Sequence, residues 1–145
     1  MSFFVATADQ VETLHNHTIS VQGGAPGLRD RGAFLSVWSR VEAAWMYSDP
    51  DPLRLGSLLA HGLMKAHPFV DGNKRSAWAA LALTLAGNGW RCDLAPPEAA
   101  RSLIKAAGSS SGADALEAAL RPFCGPDPVF QMLFDFDRGL GDVAQ

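Results

Sequence analysis

Apolar residues recur along this chain at intervals of three and four almost throughout, the spacing that gathers side chains on one face of a helix. Thr7 or Asp9 is placed to cap a first helix running through about His17, which the glycine- and proline-rich VQGGAPG then ends. Asp30 caps a second, whose inner face is marked by Phe34, Leu35, Trp38, Val41 and Trp45 and which stops near SDPDP. Leu53, Leu55, Leu58, Leu59, Leu63 and Met64 outline a third, ending at His67 because a residue before proline is pushed out of the helical region. A fourth spans about Asn73 to Ala86 and ends at GNG, where glycine accepts the left-handed C-terminal conformation.

Two further helices, about Pro97 to Ala107 and Ala113 to Leu120, flank the loop GSSSG. No segment alternates apolar with polar residues for long, so no sheet of consequence is predicted. The expectation is an all-α bundle of about six helices, with a domain at 1–124. The composition then turns to Pro, Gly and Asp around scattered large apolar residues, which sets 125–145 apart as a tail without assigned structure.

Composition narrows the function classes. A chain of 145 residues, 48% hydrophobic and 19% charged, suits one domain with a real core. The net charge of −3 comes without any run of Lys or Arg, so nucleic acid is not an expected partner. The most apolar run, Ala77 to Ala86, is about half the length of a membrane span. The N-terminus lacks the basic start and long apolar stretch of a signal peptide. Cys92 and Cys124 stand far apart in sequence, outside any CxxC or Cys/His spacing, and are expected to be buried thiols of a cytoplasmic protein.

The chemistry is concentrated in HPFVDGNKR, residues 67–75, at the turn between the third and fourth helices. First-turn backbone N–H groups lack helical partners and, with the helix dipole, attract anions, phosphate above all. Gly72 lets backbone approach a ligand, while Lys74 and Arg75 add positive charge at the same rim. Asp71 supplies a hard oxygen suited to Mg²⁺ carrying phosphate oxygens, and His67 is the nearby group able to take a proton at neutral pH. Phe69 pins the turn into the core. Phosphate, metal and general base together describe a phosphoryl or nucleotidyl transfer site.

These residues resemble the Fic/Doc family signature HxFx(D/E)(A/G)N(G/K)R, matched by His67, Phe69, Asp71, Gly72, Asn73, Lys74 and Arg75. TADQVETLHN is similar to the family's first helix, GLRDRGAFLSVWSR to its flap and second helix, and PPEAARSLIKAA to the helix after the site, so the likeness covers about residues 7 to 123. It implies an all-α fold and transfer of part of a nucleotide to a protein hydroxyl. His67 would deprotonate that hydroxyl and Asp71 would hold Mg²⁺. Asn73, with the backbone around Gly72, would hold phosphates, and Arg75 would pair with a phosphate oxygen.

Members that attach AMP usually carry Gly where this chain has Lys74, and many have a second Arg where it has Trp78. Both departures resemble the death-on-curing branch, toxins of toxin–antitoxin pairs that phosphorylate a target protein with ATP, a threonine of elongation factor Tu being the known target type. The alternatives are an AMP or other nucleotidyl transferase and a non-catalytic binding module. The family's self-inhibitory (S/T)xxxE(G/N) pattern is absent around Glu12, Glu42, Glu98 and Glu117, so inhibition is expected from a separate small antitoxin.

Other residues have plainer readings. Arg29 and Asp30 are candidates to meet the target from the flap, although a capping role explains Asp30 as well. His61, six residues before His67 on a helix, points away from it and is read as structural or solvent-facing. The letters HNH at His15 to His17 match a nuclease name, but no second ligand cluster or basic surface accompanies them. Trp38, Trp45, Trp78 and Trp90 are expected in the core. GNKRS is no Walker loop, because GxxxxGK is missing.

Overall fold

The Gln10 N–H donates to the Thr7 hydroxyl at 3.2 Å, and the Thr7 N–H donates to the Gln10 side chain at 2.9 Å. This reciprocal capping box starts helix α1, Ala8–Gln22, in a computed structural model that describes residues 3–109 and 111–133. The helix runs a turn beyond the expected end near His17. Its buried stripe is Val11, His15 and Ile19, four residues apart, and a histidine in the middle hid that stripe from a reading by hydrophobicity.

Asp30 caps α2, Arg31–Tyr47, by accepting the Ala33 N–H at 3.0 Å. The buried face of α2 is Phe34, Val37 and Val41. Leu35, expected on that face, is 48% exposed, because 100° per residue carries it off the stripe that Val37 completes.

Helix α3, Pro52–Ala66, is the centre of the bundle, packed against α2, α4, Asn73–Gly87, and the pair α5, Pro96–Ala107, and α6, Gly112–Leu120. Small residues set the spacing. A Cβ at Gly62 would lie 2.6 Å from Val37 Cγ1, and one at Gly56 would lie 3.3 Å from Leu81 Cγ. Leu55, Leu59, Leu63, Ala77, Leu81, Leu103 and Leu116 share one continuous core. The fold is therefore the all-α bundle expected from the spacing, and no helix among the described residues is long and apolar enough to cross a membrane.

The sheet is as slight as expected, and two expectations of burial are corrected. A two-stranded antiparallel ribbon, β1 at Trp90–Cys92 and β2 at Cys124–Pro126, joins the end of α4 to the chain after α6. Strands of three residues are too short to leave a visible alternation. The ribbon sets Cys92 directly opposite Cys124, and both thiols are half-buried and not enclosed. The four tryptophans are likewise half-buried, with the Trp38 indole donating to the Ala6 carbonyl at 2.8 Å. Beyond the ribbon, Asp127 N–H donates to Gly89 O at 2.8 Å and residues 128–133 are helical. The remainder of the segment expected as a tail, 134–145, lies outside the described residues, as does Ser110 of the GSSSG loop.

Asp51 ties the start of α3 to the end of α6, accepting the Arg54 N–H at 2.9 Å and pairing with Arg121. Burial pushes the Asp51 carboxyl up, but hydrogen bonds from Arg121 and the Arg54 N–H outweigh it and hold the group below its ordinary value. A lowered carboxyl contributes stability that is present above its unfolded value and lost as pH falls through the folded one. Asp51→Ala is expected to lower unfolding stability by about 1 kcal/mol at neutral pH. The difference from wild type should begin to shrink once pH falls below the ordinary carboxylate value of about 3.9 and should vanish below the lower folded value. Urea unfolding at the two pH values measures this, and a difference independent of pH would rule out the ionised carboxylate as its source.

Candidate active site

The backbone of His67 lies in the left-handed region, φ 49° and ψ 52°, and His67 is the one residue other than glycine with positive φ among the described residues. Such a conformation costs free energy and persists where surrounding contacts over-determine it. Those contacts come from four directions.

The first is the flap. Val70 N–H donates to Gly27 O at 3.0 Å, and the Arg29 and Asp30 N–H groups both reach Pro68 O, at 2.6 and 3.2 Å. Leu28 thereby bridges to Phe69 as an isolated antiparallel pair. The Arg29 guanidinium donates to His67 O at 2.7 Å, capping the C-terminal end of α3, while Asp30 caps α2.

The second is Asn73, the first residue of α4, whose side chain is 5% exposed. Its Oδ1 accepts the Phe69 N–H at 3.0 Å, and its Nδ2 donates to Phe69 O at 2.9 Å and to His67 Nδ1 at 3.0 Å. Bonds to both a backbone donor and a backbone acceptor fix which way the amide faces. His67 Nδ1 is therefore an acceptor, and the neutral ring keeps its proton on Nε2. The Asn73 side chain is turned inward to the loop, with both amide hydrogens committed there.

The third is Phe69, buried as expected, with its ring edge-on to Phe34 at a centroid distance of 5.3 Å. The fourth is His15, buried and stacked on Phe69 at 3.7 Å with an interplanar angle of 10°. Its Nε2 lies 2.8 Å from Asp71 O. A carbonyl only accepts, so Nε2 carries the proton and donates, leaving the buried Nδ1 as a lone pair without a partner among the described residues. The sequence reading missed this role for His15. The spacing of Val11, His15 and Ile19 is the signal that reveals it.

Held this way, the loop opens onto a cavity of about 270 Å³ lined by His67, Asp71, Gly72, Lys74 and Arg75 among others. Gly72 enters α4 at φ 77°, no side chain caps that helix, and its first three residues line the cavity. Asp71 is exposed, its Oδ1 accepting the Gly72 N–H at 2.8 Å and its Oδ2 the Ala25 N–H at 3.3 Å. A Cβ at Gly24 would lie 2.7 Å from that Oδ2, so Gly24 is what lets the segment after α1 come so close. The Arg75 guanidinium donates to Gln22 Oε1 and Gly23 O, both at 3.3 Å. Lys74 and Arg75 also border a second cavity of about 390 Å³, between α1, α4 and α5, with Trp78 in its wall. His61 lies elsewhere, on the α2 side of α3, where burial and then the charges of Lys65 and Arg40 lower its pKa.

The sequence that builds this site has known relatives. The model of the Fic/DOC family matches residues 5–85, more than half of the chain and all of the motif loop. The chain belongs to the Fic/DOC family. It is also similar to the protein kinase doc of Escherichia phage P1, 32% identical over 82 residues, which cover 56% of this chain and 65% of that protein. The likeness therefore spans somewhat less than two thirds of the phage protein's length.

His15→Ala removes both the stack on Phe69 and the donor to Asp71 O. The expected loss of unfolding stability is about 1–3 kcal/mol with helix content retained, read by urea unfolding followed by circular dichroism. Unchanged stability would mean that the flap and Asn73 hold the loop without His15.

Proposed function

We propose that the chain is a toxin of a toxin–antitoxin pair that transfers the γ-phosphate of ATP to a Ser or Thr hydroxyl of a target protein. The observation that carries this reading is Lys74, exposed at the uncapped N-terminus of α4 and bordering both cavities, with Arg75 beside it. A terminal phosphate carries more negative charge than an internal one. A helix N-terminus reinforced by two cations thus favours the terminal group at the rim beside His67, where bare backbone would serve an internal phosphate as well. Trp78, where a second arginine would otherwise anchor the far phosphate, supports the same pose.

Asp71 is the one carboxylate lining the first cavity, and no group of three His, Cys, Asp or Glu side chains stands together among the described residues. That donor set fits Mg²⁺, which takes one or two carboxylates and fills its other positions with phosphate oxygens and water. When bound, the ion neutralises phosphate charge. Arg75, whose fork spends only two donors on Gln22 and Gly23, has further N–H groups for a phosphate oxygen.

His67 receives the hydroxyl proton. Because Nδ1 is occupied by the Asn73 amide and Nε2 carries a proton, the resting ring offers an N–H at Nε2. It gains a free lone pair only when the Asn73 bond opens. A loose phosphoryl-transfer transition state tolerates this order, since the nucleophile's proton leaves late. With the side chains of Arg29 and Asp30 committed to helix ends, the backbone of the flap is left to meet the target, by resemblance a translation factor such as elongation factor Tu in the cytoplasm. A small antitoxin protein would silence the site from outside the chain.

Two arrangements of label test the reading. Purified chain with γ-labelled ATP and a bacterial extract should label a protein, whereas α-labelled ATP should not. His67→Ala should fold and lose transfer by about a hundredfold or more. An added AMP in the mass spectrum of the target would overturn the kinase in favour of an adenylyl transferase. Full activity of His67→Ala would remove the proposed base, and no transfer of either label would favour a binding module.

A further inference from the structure

The ribbon that closes the α5–α6 segment carries a feature unrelated to nucleotide chemistry. Cys92 and Cys124 are register partners on β1 and β2. Asp93 N–H donates to Phe123 O at 2.9 Å on one side of them and Asp127 N–H to Gly89 O at 2.8 Å on the other. In an antiparallel pair, hydrogen-bonded and non-hydrogen-bonded positions alternate. With 93–123 and 89–127 hydrogen-bonded, 92–124 falls at a non-hydrogen-bonded position, where opposing Cα atoms lie about 4.5 Å apart. That separation is within the range a disulfide spans, and both side chains there leave the same face of the ribbon.

Both thiols are free and half-buried, so neither is sealed from a small reagent. They are also neighbours across the ribbon: burial first, and then the nearness of Cys92, pushes the Cys124 thiol well above its ordinary value. Burial thus disfavours the Cys124 thiolate, and the sequence of attack assigned here begins at Cys92.

We propose that Cys92 and Cys124 are a modification site, closed as an intrachain cross-strand disulfide by exchange with a low-molecular-weight disulfide. The Cys92 thiolate attacks one sulfur of the reagent; its S–S bond breaks and one small thiolate leaves with the bonding electrons. Cys124 then loses its proton and attacks Cys92 Sγ in the mixed disulfide, releasing the second small thiolate. Two protein thiols are oxidised, one reagent disulfide is reduced to two small thiols, and the two cysteine protons end on those thiols. The product ties residue 92 to residue 124 and closes α5 and α6 into one covalent loop. Pro96 and Ala100 of α5 belong to the wall of the cavity shared by Lys74, Arg75 and Trp78, so the bond fixes one side of that cavity at its base.

The experiment treats the purified full-length chain with oxidised glutathione and follows intact mass, free-thiol titre and thermal unfolding. The expected product is a monomer lighter by about 2 Da, with no titratable thiol and a Tm raised by at least about 4 °C, reversed by dithiothreitol. Cys124→Ser should stop at a glutathione adduct on Cys92. A wild-type chain that retains two free thiols, keeps a stable glutathione adduct, crosslinks to a second chain, or closes the bond with a lowered Tm would each overturn the site.

Discussion

One buried amide holds this site together. The Asn73 side chain occupies the first turn of α4, yet all three of its hydrogen bonds run back to the preceding loop, two to Phe69 and one to His67. A buried amide of this kind is stable only when its donors and acceptor are met, and the alternative face of the amide would set like against like at Phe69. The geometry of the loop and the tautomer of His67 therefore depend on one rotamer. The left-handed backbone at His67 follows from it, since the chain must turn sharply between α3 and the point where Asn73 grips Phe69.

Around that amide, the site combines two requirements that usually conflict. Phe69, His15 and Phe34 provide an apolar support that resists deformation, and the opposite side of the loop presents charged and polar groups to solvent. The division follows the spacing of the motif, whose two inward residues stand four apart. Phe69 and Asn73 point inward, while Asp71 and Lys74 are exposed, so a loop of only a few residues has a core face and a chemical face.

Much of this was legible in the sequence, for reasons that differ by element. Helices α2 and α3 declare themselves through the cap at Asp30 and through Pro68, whose constraint on the residue before it is local and independent of tertiary packing. The motif residues are legible because they match the Fic/DOC signature position by position. What was hidden depends on distant partners. His15 counts as polar until Phe69 and Asp71 stand beside it, and the inward turn of Asn73 shows only when the loop is closed. The ribbon joins residues that sequence separates by two helices, and three-residue strands leave no periodicity to find.

The pairing of flap and motif loop has a mechanical consequence. Pro68 O accepts two flap N–H groups, Val70 N–H returns to Gly27 O, and the Arg29 side chain reaches past them to His67 O. With so many bonds across so short a seam, the two segments translate as one rigid part. A polypeptide seated along the flap would be gauged against the imidazole by covalent and hydrogen-bonded geometry alone, independent of what side chains it carries. On the proposed function, selectivity for the modified residue would then reside in its position along an extended backbone, and a shift of one residue would turn its hydroxyl to the opposite side, away from the ring.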